Sequence, residues 1–302
     1  MATDPALALG VSRQARPGGA AKARPVWAAL TGPYGLFLLF LLIVPLANVA
    51  LFSIHRYSPT QVALPELTFD NYRKIADLYY VRLFARTLKL GLITTVICAL
   101  LGYPLAYWLA RARPRPQAIG LFLLIMPLMV SAVIRIFGWI VILGRKGLVN
   151  EALAAFGLEP VRLLYSDTAV VIGLVNVFLP FMALPLMAAI ERIPSTLEEA
   201  ARNLGANWYQ TFRRIILPLS MPGLISGSLL VYSISISAFV TPALMGNSRE
   251  RMAAQQIYDE VLVSFNWPSA SSLAVTLVSL TLMLMFSAIY VTRRAARLEQ
   301  TR

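Results

Sequence analysis

Cysteine, histidine and acidic side chains are all scarce in this sequence. One cysteine (Cys98) and one histidine (His55) stand among 302 residues. They exclude a disulfide framework within the chain and any Cys/His metal cluster that it supplies alone. A Ser-His-Asp or Cys-His catalytic pairing would have to run through His55, which lies just past an apolar segment with no supporting motif. Charge of any kind is thin: 14% of residues are charged and 58% are apolar, whereas a soluble domain carries about 25% charged residues. Such a surface cannot cover a water-soluble globule. No phosphate-binding G-x4-G-K-[ST] loop occurs either, since Gly144-Arg-Lys-Gly147 lacks both the length and the hydroxyl residue. The composition is that of an integral membrane protein, and the chain cannot bind ATP through a phosphate loop.

What is present is a set of long apolar runs. About 20 helical residues at 1.5 Å each cross a hydrocarbon core about 30 Å thick. Six segments reach that length: Tyr34–Ile54, Leu90–Ala110, Ile119–Leu143, Ala169–Ile190, Leu224–Leu244 and Ser272–Val291. None alternates with a two-residue period along its length, which argues against a membrane β-barrel. The fold class expected is all-α, a polytopic protein with six transmembrane helices. Pro45, Pro104, Pro127, Pro180, Pro185 and Pro242 fall within spans, where neighbouring helices can re-satisfy the carbonyls that proline frees.

Lys and Arg in the connections set the orientation. With the N-terminus inside, the inner segments hold fifteen basic and five acidic residues, the outer ones ten and nine. Both termini are therefore expected in the cytoplasm. The net charge of +13 is a topology signal, not a nucleic-acid patch, and no nucleic-acid partner is expected. Residues 1–32 read as a disordered basic tail, 33–292 as a six-span transmembrane domain and 293–302 as a second basic tail. The first span is too long for a signal-peptide core and is expected to remain as an anchor.

One inner connection, 191–218, breaks the pattern of short loops. Pro194 stops the preceding helix, Ser195 and Glu198 have the spacing of a capping box, and Gly205 supplies a left-handed stop. Between them Leu197, Ala200, Ala201 and Leu204 share one face of a short helix. Two alanines give that face close approach rather than grease, which suits a protein partner.

Glu199-Ala200-Ala201, then Gly205, then Ile215, Leu217 and Pro218, reproduce the EAA-x3-G-x9-I-x-LP loop, and the chain resembles the permease subunits of ABC importers. The resemblance implies a type I importer permease fold and a coupling helix seated on a separate ATPase, with Glu199, Ala200, Ala201 and Gly205 at the contact. It implies as partners a second homologous permease, two ABC ATPase subunits and a periplasmic solute-binding protein. ATP and Mg²⁺ would be bound by the ATPases, with no cofactor and no metal in this chain and no catalytic residue of its own. The location implied is the bacterial inner membrane, among its lipids. Leu67-Thr-Phe-Asp-Asn-Tyr72, Gly102-Tyr-Pro-Leu-Ala-Tyr-Trp108, Ile134-Arg-Ile-Phe-Gly138, Gly147-Leu-Val-Asn150 and Asn266-Trp-Pro268 resemble the first permease subunit of spermidine/putrescine-type importers.

The cargo is less legible. Polyamines are polycations that acids or aromatic faces would recognise, yet no Asp or Glu falls inside a span. Aromatics are present, among them Tyr103, Tyr107, Trp108, Trp139 and Phe181. Arg135 is the outstanding intramembrane charge, with span-end carbonyls, an acid of the second permease or a substrate carboxylate as its candidate partners. Arg135, Trp139, Asn176, Phe181 and Ser237 are the candidate pathway residues. A zwitterionic, opine-like or anionic solute stays open beside a polyamine. A secondary transporter would need a coupling-ion site with intramembrane acids and internal repeats, and a membrane enzyme would need convergent titratable groups; neither pattern is visible. Outside, Ser248–Phe265 reads as a short amphipathic surface helix, placed where a solute-binding protein would dock.

Overall fold

A computed structural model describes residues 24–58, 62–247 and 250–300, with side chains over 32–58, 66–247 and 250–290. Residues 1–23, most of the expected N-terminal tail, and Ser248 and Arg249 of the expected outer surface segment lie outside the described residues. The chain divides into a unit over 1–48 and a unit over 49–302. The first contains most of α1 (Arg24–Phe52), which is apolar enough to span a membrane from Gly32 onward. Its helix starts at Arg24, inside the segment assigned to the tail.

The second unit opens with a small antiparallel hairpin, β1 (His55–Ser58) and β2 (Val62–Leu67). The all-helical expectation contained no such element. A short helix α2 (Asp70–Ile75) follows, and Asn71 pins it to the hairpin by donating its side-chain amide to the carbonyls of Ser53 (3.1 Å) and His55 (2.9 Å). Then come α3 (Leu78–Arg111), α4 (Pro114–Met129), α5 (Ala132–Leu143), α6 (Leu148–Ala155) and α7 (Asp167–Glu191). The inner loop holds α8 (Ser195–Asn203), α9 (Trp208–Thr211) and a π-helical turn over Phe212–Ile216. The chain ends with α10 (Leu217–Ser237), α11 (Val240–Met245), α12 (Ala253–Leu262) and α13 (Trp267–Gln300). Five helices among the described residues are long and apolar enough to cross a membrane, or six with α4 and α5 counted as one bent span.

Two expected spans are broken. The stretch Ile119–Leu143 turns by 96° between α4 and α5, where Val130 and Ser131 are extended. Leu224–Leu244 is interrupted at Ala238, also extended, before α11. Proline explains the second break. In a continuous helix the Pro242 ring would strike the carbonyl of residue 238, so the chain leaves helical geometry there and restarts.

The core lies among α3, α7 and α10. Leu90 and Cys98 of α3, Leu174, Phe178 and Met182 of α7, and Val231 of α10 are fully or nearly buried in one cluster. Tyr103, Ala106, Leu109, Ala183, Leu186 and Ile190 continue it toward the end of α3 that carries Arg111. Lipid is as apolar as leucine, so close backbone approach holds such helices together. Gly223 provides it: a Cβ there would lie 2.4 Å from the Ala189 Cβ and 2.9 Å from the Pro185 carbonyl oxygen. α10 therefore rests directly on the backbone of α7.

Polar contacts fix the opposite end of these helices. The Arg86 guanidinium of α3 binds the Asp167 carboxylate at the start of α7 (Nε–Oδ1 3.1 Å) and reaches Glu250 at 3.6 Å and the Arg251 carbonyl at 3.4 Å. Thr87 Oγ1 accepts the Ala253 amide at 2.8 Å, capping α12 onto α3. The amphipathic helix expected in 248–265 is thus α12, held by Thr87 and by the Arg251–Asp259 pair at 2.9 Å.

Candidate functional site

The inner loop is built from strong local signals. At its start α7 ends at Glu191, and Gln117 at the beginning of α4 donates to Glu191 at 2.6 Å. α8 ends as Gly205 requires. Its φ is +81°, the Ala206 amide bonds the Ala201 carbonyl (3.0 Å) and the Gly205 amide bonds the Arg202 carbonyl (2.9 Å). This is a Schellman stop, and only glycine enters its left-handed position without strain. Asn207 then caps α9 reciprocally with Gln210. The Asn-x-x-Gln spacing announces that box, though the sequence reading passed over it.

The start of α8 differs from expectation. Pro194 holds the cap position in extended geometry, and Ser195 is the first helical residue with no side-chain cap. Glu198 does not reach back to the backbone. Its carboxylate takes the Arg111 guanidinium at the end of α3 (Nε–Oε1 2.9 Å, Nη2–Oε1 2.6 Å) and the Tyr107 hydroxyl (2.8 Å). A charge-assisted fork outweighs a neutral amide, so the capping box is lost to an ion pair from α3.

The same turn sorts the motif residues. Glu198 and Ala201 are buried against the chain itself, whereas Leu197, Glu199, Ala200 and Leu204 are exposed, Leu204 at 89%. The expected single face is therefore divided, with Ala201 inward and Ala200 outward. Trp208 and Tyr209, each 59% exposed, continue the outward surface onto α9. Sequence reasoning did not name these two. Large aromatics just after the glycine stop, in a loop otherwise rich in charge, were the available signal.

Ile215, Leu217 and Pro218 shape the passage into α10. Pro218 has no N–H for the Arg214 carbonyl, and its ring would collide there in an α-helix. The backbone widens instead, and the Leu217 amide bonds the Phe212 carbonyl in a π turn. Trp208 stacks on Phe212 (centroids 5.3 Å apart), Tyr103 meets Phe212 edge-on at 5.1 Å, and the Tyr103 hydroxyl lies 2.5 Å from Ser220 Oγ. Tyr103, Tyr107, Trp208 and Phe212 line an apolar cavity of about 440 Å³.

The five pathway candidates are spread over several elements. Arg135 Nη1 donates to the Pro127 carbonyl across the α4–α5 break at 2.6 Å, one of the span-end partners the sequence offered. Trp139 packs beside Ile136, Ala169 and Met245. Phe181 packs against the Phe178 edge at 6.3 Å. Ser237 Oγ donates to the Ser233 carbonyl at 2.9 Å, a bond within its own helix. Asn176 lines a cavity of about 350 Å³ with Leu105, Trp108 and Pro127, and its Oδ1 is buried without a partner among the described residues.

Residues 102–296 match the family model of the binding-protein-dependent transport system inner membrane component. The chain belongs to this family. It is 38% identical over 253 residues to the spermidine/putrescine transport system permease protein PotB of Haemophilus influenzae, covering 83% of this chain and 88% of that protein. To PotB of Escherichia coli K12 it is 40% identical over 212 residues, or 70% and 77% of the two chains. A bacterial transporter that imports the polysaccharide alginate matches in structure with TM-score 0.67 at 19% identity, over 89% of this chain and 96% of the other. The methionine transporter MetNI in inward-facing form matches with TM-score 0.54 at 19% identity, over 73% and 97%. These likenesses establish the importer-permease fold, which the resemblance carried by the EAA-type loop anticipates. This family member is a multi-pass inner-membrane transport component.

Proposed function

We propose that the chain is a six-span permease subunit of an ATP-driven importer for spermidine, putrescine or a closely related small organic cation. It pairs with a second homologous permease, receives solute from a periplasmic binding protein, and couples on the cytoplasmic side to two ABC ATPase subunits. Both termini face the cytoplasm. The observation that carries the coupling assignment is the outward surface of the inner loop, where Glu199, Ala200, Leu204 and Trp208 stand exposed beyond the ends of α7 and α10. An exposed patch of large apolar groups around one carboxylate marks a protein contact. The chain makes no bonds itself; ATP-dependent binding energy on its partners shifts it between two states.

The polyamine assignment is supported by the PotB relatives, at 38–40% identity. Tyr103, Tyr107, Trp108 and Phe181 offer aromatic faces to an ammonium group, and Asn176 Oδ1 offers an unused acceptor. Arg135 is engaged by the Pro127 carbonyl, which weakens the case for an anionic cargo held by this residue. The test is ATP-driven uptake of labelled spermidine and putrescine into vesicles holding both permeases and the ATPase, with the cognate binding protein outside. Uptake of an amino acid or opine in place of both polyamines would overturn the cargo. Uptake that persists without ATP and collapses with an uncoupler would overturn the mechanism.

A further inference from the structure

The sequence motif names Glu199, but the carboxylate that anchors α8 to the rest of the chain is its neighbour, Glu198. Its side chain is 8% exposed, and that of its partner Arg111 is 23% exposed. Arg111 uses its fork twice. Nε and Nη2 hold Glu198 Oε1, and Nη2 also donates to the Ile193 carbonyl at 3.0 Å. Ile193 belongs to the turn joining α7 to α8, so one guanidinium holds that turn and the first turn of α8 together. Tyr107, one helical turn earlier on α3, supplies the third bond through Glu198 Oε2 at 2.8 Å. Both carboxylate oxygens of Glu198 and the Ile193 carbonyl are thereby taken up by α3, an element remote in sequence.

The path continues outward along α3. This helix runs unbroken from Leu78 to Arg111, about 50 Å at 1.5 Å per residue. Near its other end Arg86 holds Asp167 and Glu250, and Thr87 holds the first amide of α12. One continuous helix is thus tied by an ion pair to α8 at one end, and at the other by charge to Asp167 and Glu250 and by the Thr87 hydrogen bond to α12. A short helix such as α8 has little stability of its own, and its seat on α3 fixes its attitude.

We propose that Arg111 is a positioning residue: it locks the inner-loop helix onto the end of α3, so that displacement of α8 by an ATPase is delivered along α3 to the outer face around α12. This rests on the coupling assignment made above for the exposed surface of α8, and adds the element that carries its motion. Arg111 and Glu198 face away from that surface, so docking and transmission are separable.

The experiment uses the complete transporter in membranes, with Arg111→Gln, Glu198→Gln and the reversed pair Arg111→Glu/Glu198→Arg. Exposed Arg113→Ala is the control. Three quantities are read: ATPase recovered on affinity capture, basal ATP hydrolysis, and the stimulation of hydrolysis by solute-loaded binding protein. Both single variants should recover ATPase and keep basal hydrolysis, while stimulation falls about tenfold, within the usual range of coupling between sites. The reversed pair restores the ion pair without the Ile193 bond, and should regain part of the stimulation. Arg113→Ala should match wild type.

Wild-type stimulation in both single variants would overturn the proposal. So would loss of captured ATPase in step with loss of stimulation, because Arg111 would then serve docking alone. Failure of the reversed pair to regain any stimulation, with the complex intact, would also overturn it. Glu199→Lys tests the underlying assignment separately: full ATPase recovery and transport in that variant would sink the docking surface, whatever the Arg111 variants do.

Discussion

Arg135 reaches back across a broken helix to the carbonyl of Pro127, with Nη1 2.6 Å from the oxygen. The break strips the last turn of α4 of helical partners, and in hydrocarbon no water can replace them. Arg135 sits in the first turn of α5, close enough to close that gap. Its Nε is buried with no partner among the described residues. The charge is spent on the bend.

Replacing this group should therefore act on stability. Arg135→Ala leaves the Pro127 carbonyl with only the long Val130 amide bond at 3.4 Å; loss of the charged hydrogen bond costs about 1.5–3 kcal/mol, and the purified complex should melt several degrees lower. The order of preference among spermidine, putrescine and amino acids should not change. A variant with normal melting and altered solute ranking would show that Arg135 faces the cargo.

Ala200 and Ala201, adjacent in sequence, should fail in different ways. Ala200 is exposed and Ala201 is 8% exposed against the chain's own helices. Ala200→Asp should reach the membrane at normal levels and recover little ATPase on capture. Ala201→Asp buries an unpaired carboxylate, costing several kcal/mol, and should lower the amount of folded permease itself. Equal membrane levels and equal ATPase recovery for the two would contradict the divided face.

Gly223→Val tests the contact of α10 with α7. Its first added carbon would meet the Ala189 Cβ at 2.4 Å, with backbone close behind. Overpacking of this kind costs about 1–3 kcal/mol. Thermal unfolding in detergent should shift down, and Gly223→Ala should fall between wild type and Val. Unchanged melting for Val would mean that the two helices separate freely.

Reporter fusions check the orientation. Insertions after Gln210 should report the cytoplasm, and insertions near Asn71 or within α12 at Tyr258 should report the periplasm. A cytoplasmic signal at Tyr258 would remove the six-span arrangement.

The long apolar runs were legible because a bilayer demands about 20 of them in succession. The breaks were not. Pro127 lies inside α4 without ending it, whereas Pro242 forces α10 to stop at Ser237. Whether a proline bends or breaks a span depends on partners that come from elsewhere, as Arg135 does for the carbonyl of Pro127. The inner loop divides along the same line. Gly205 needs only its own φ and was legible. Glu198 satisfies the local rule for a capping box, yet its partner Arg111 lies 87 positions away. A tertiary charge overrode a correct local signal, and with it turned Ala201 inward.

The 96° turn after α4 also bears on the membrane around the protein. The 16 residues of α4 rise about 24 Å, short of a hydrocarbon core of about 30 Å. Were α4 to stand upright, α5 would lie nearly in the plane of the lipid; its Ile134, Phe137 and Val141 are exposed on this chain. A helix lying flat takes lateral area from one leaflet only and would make this side of the protein a wedge. Thin, loosely packed bilayers should seat it comfortably, and thick, ordered ones should squeeze the bend. The lipid composition of a reconstituted vesicle would then act as a mechanical setting on the Arg135–Pro127 bend before any solute arrives.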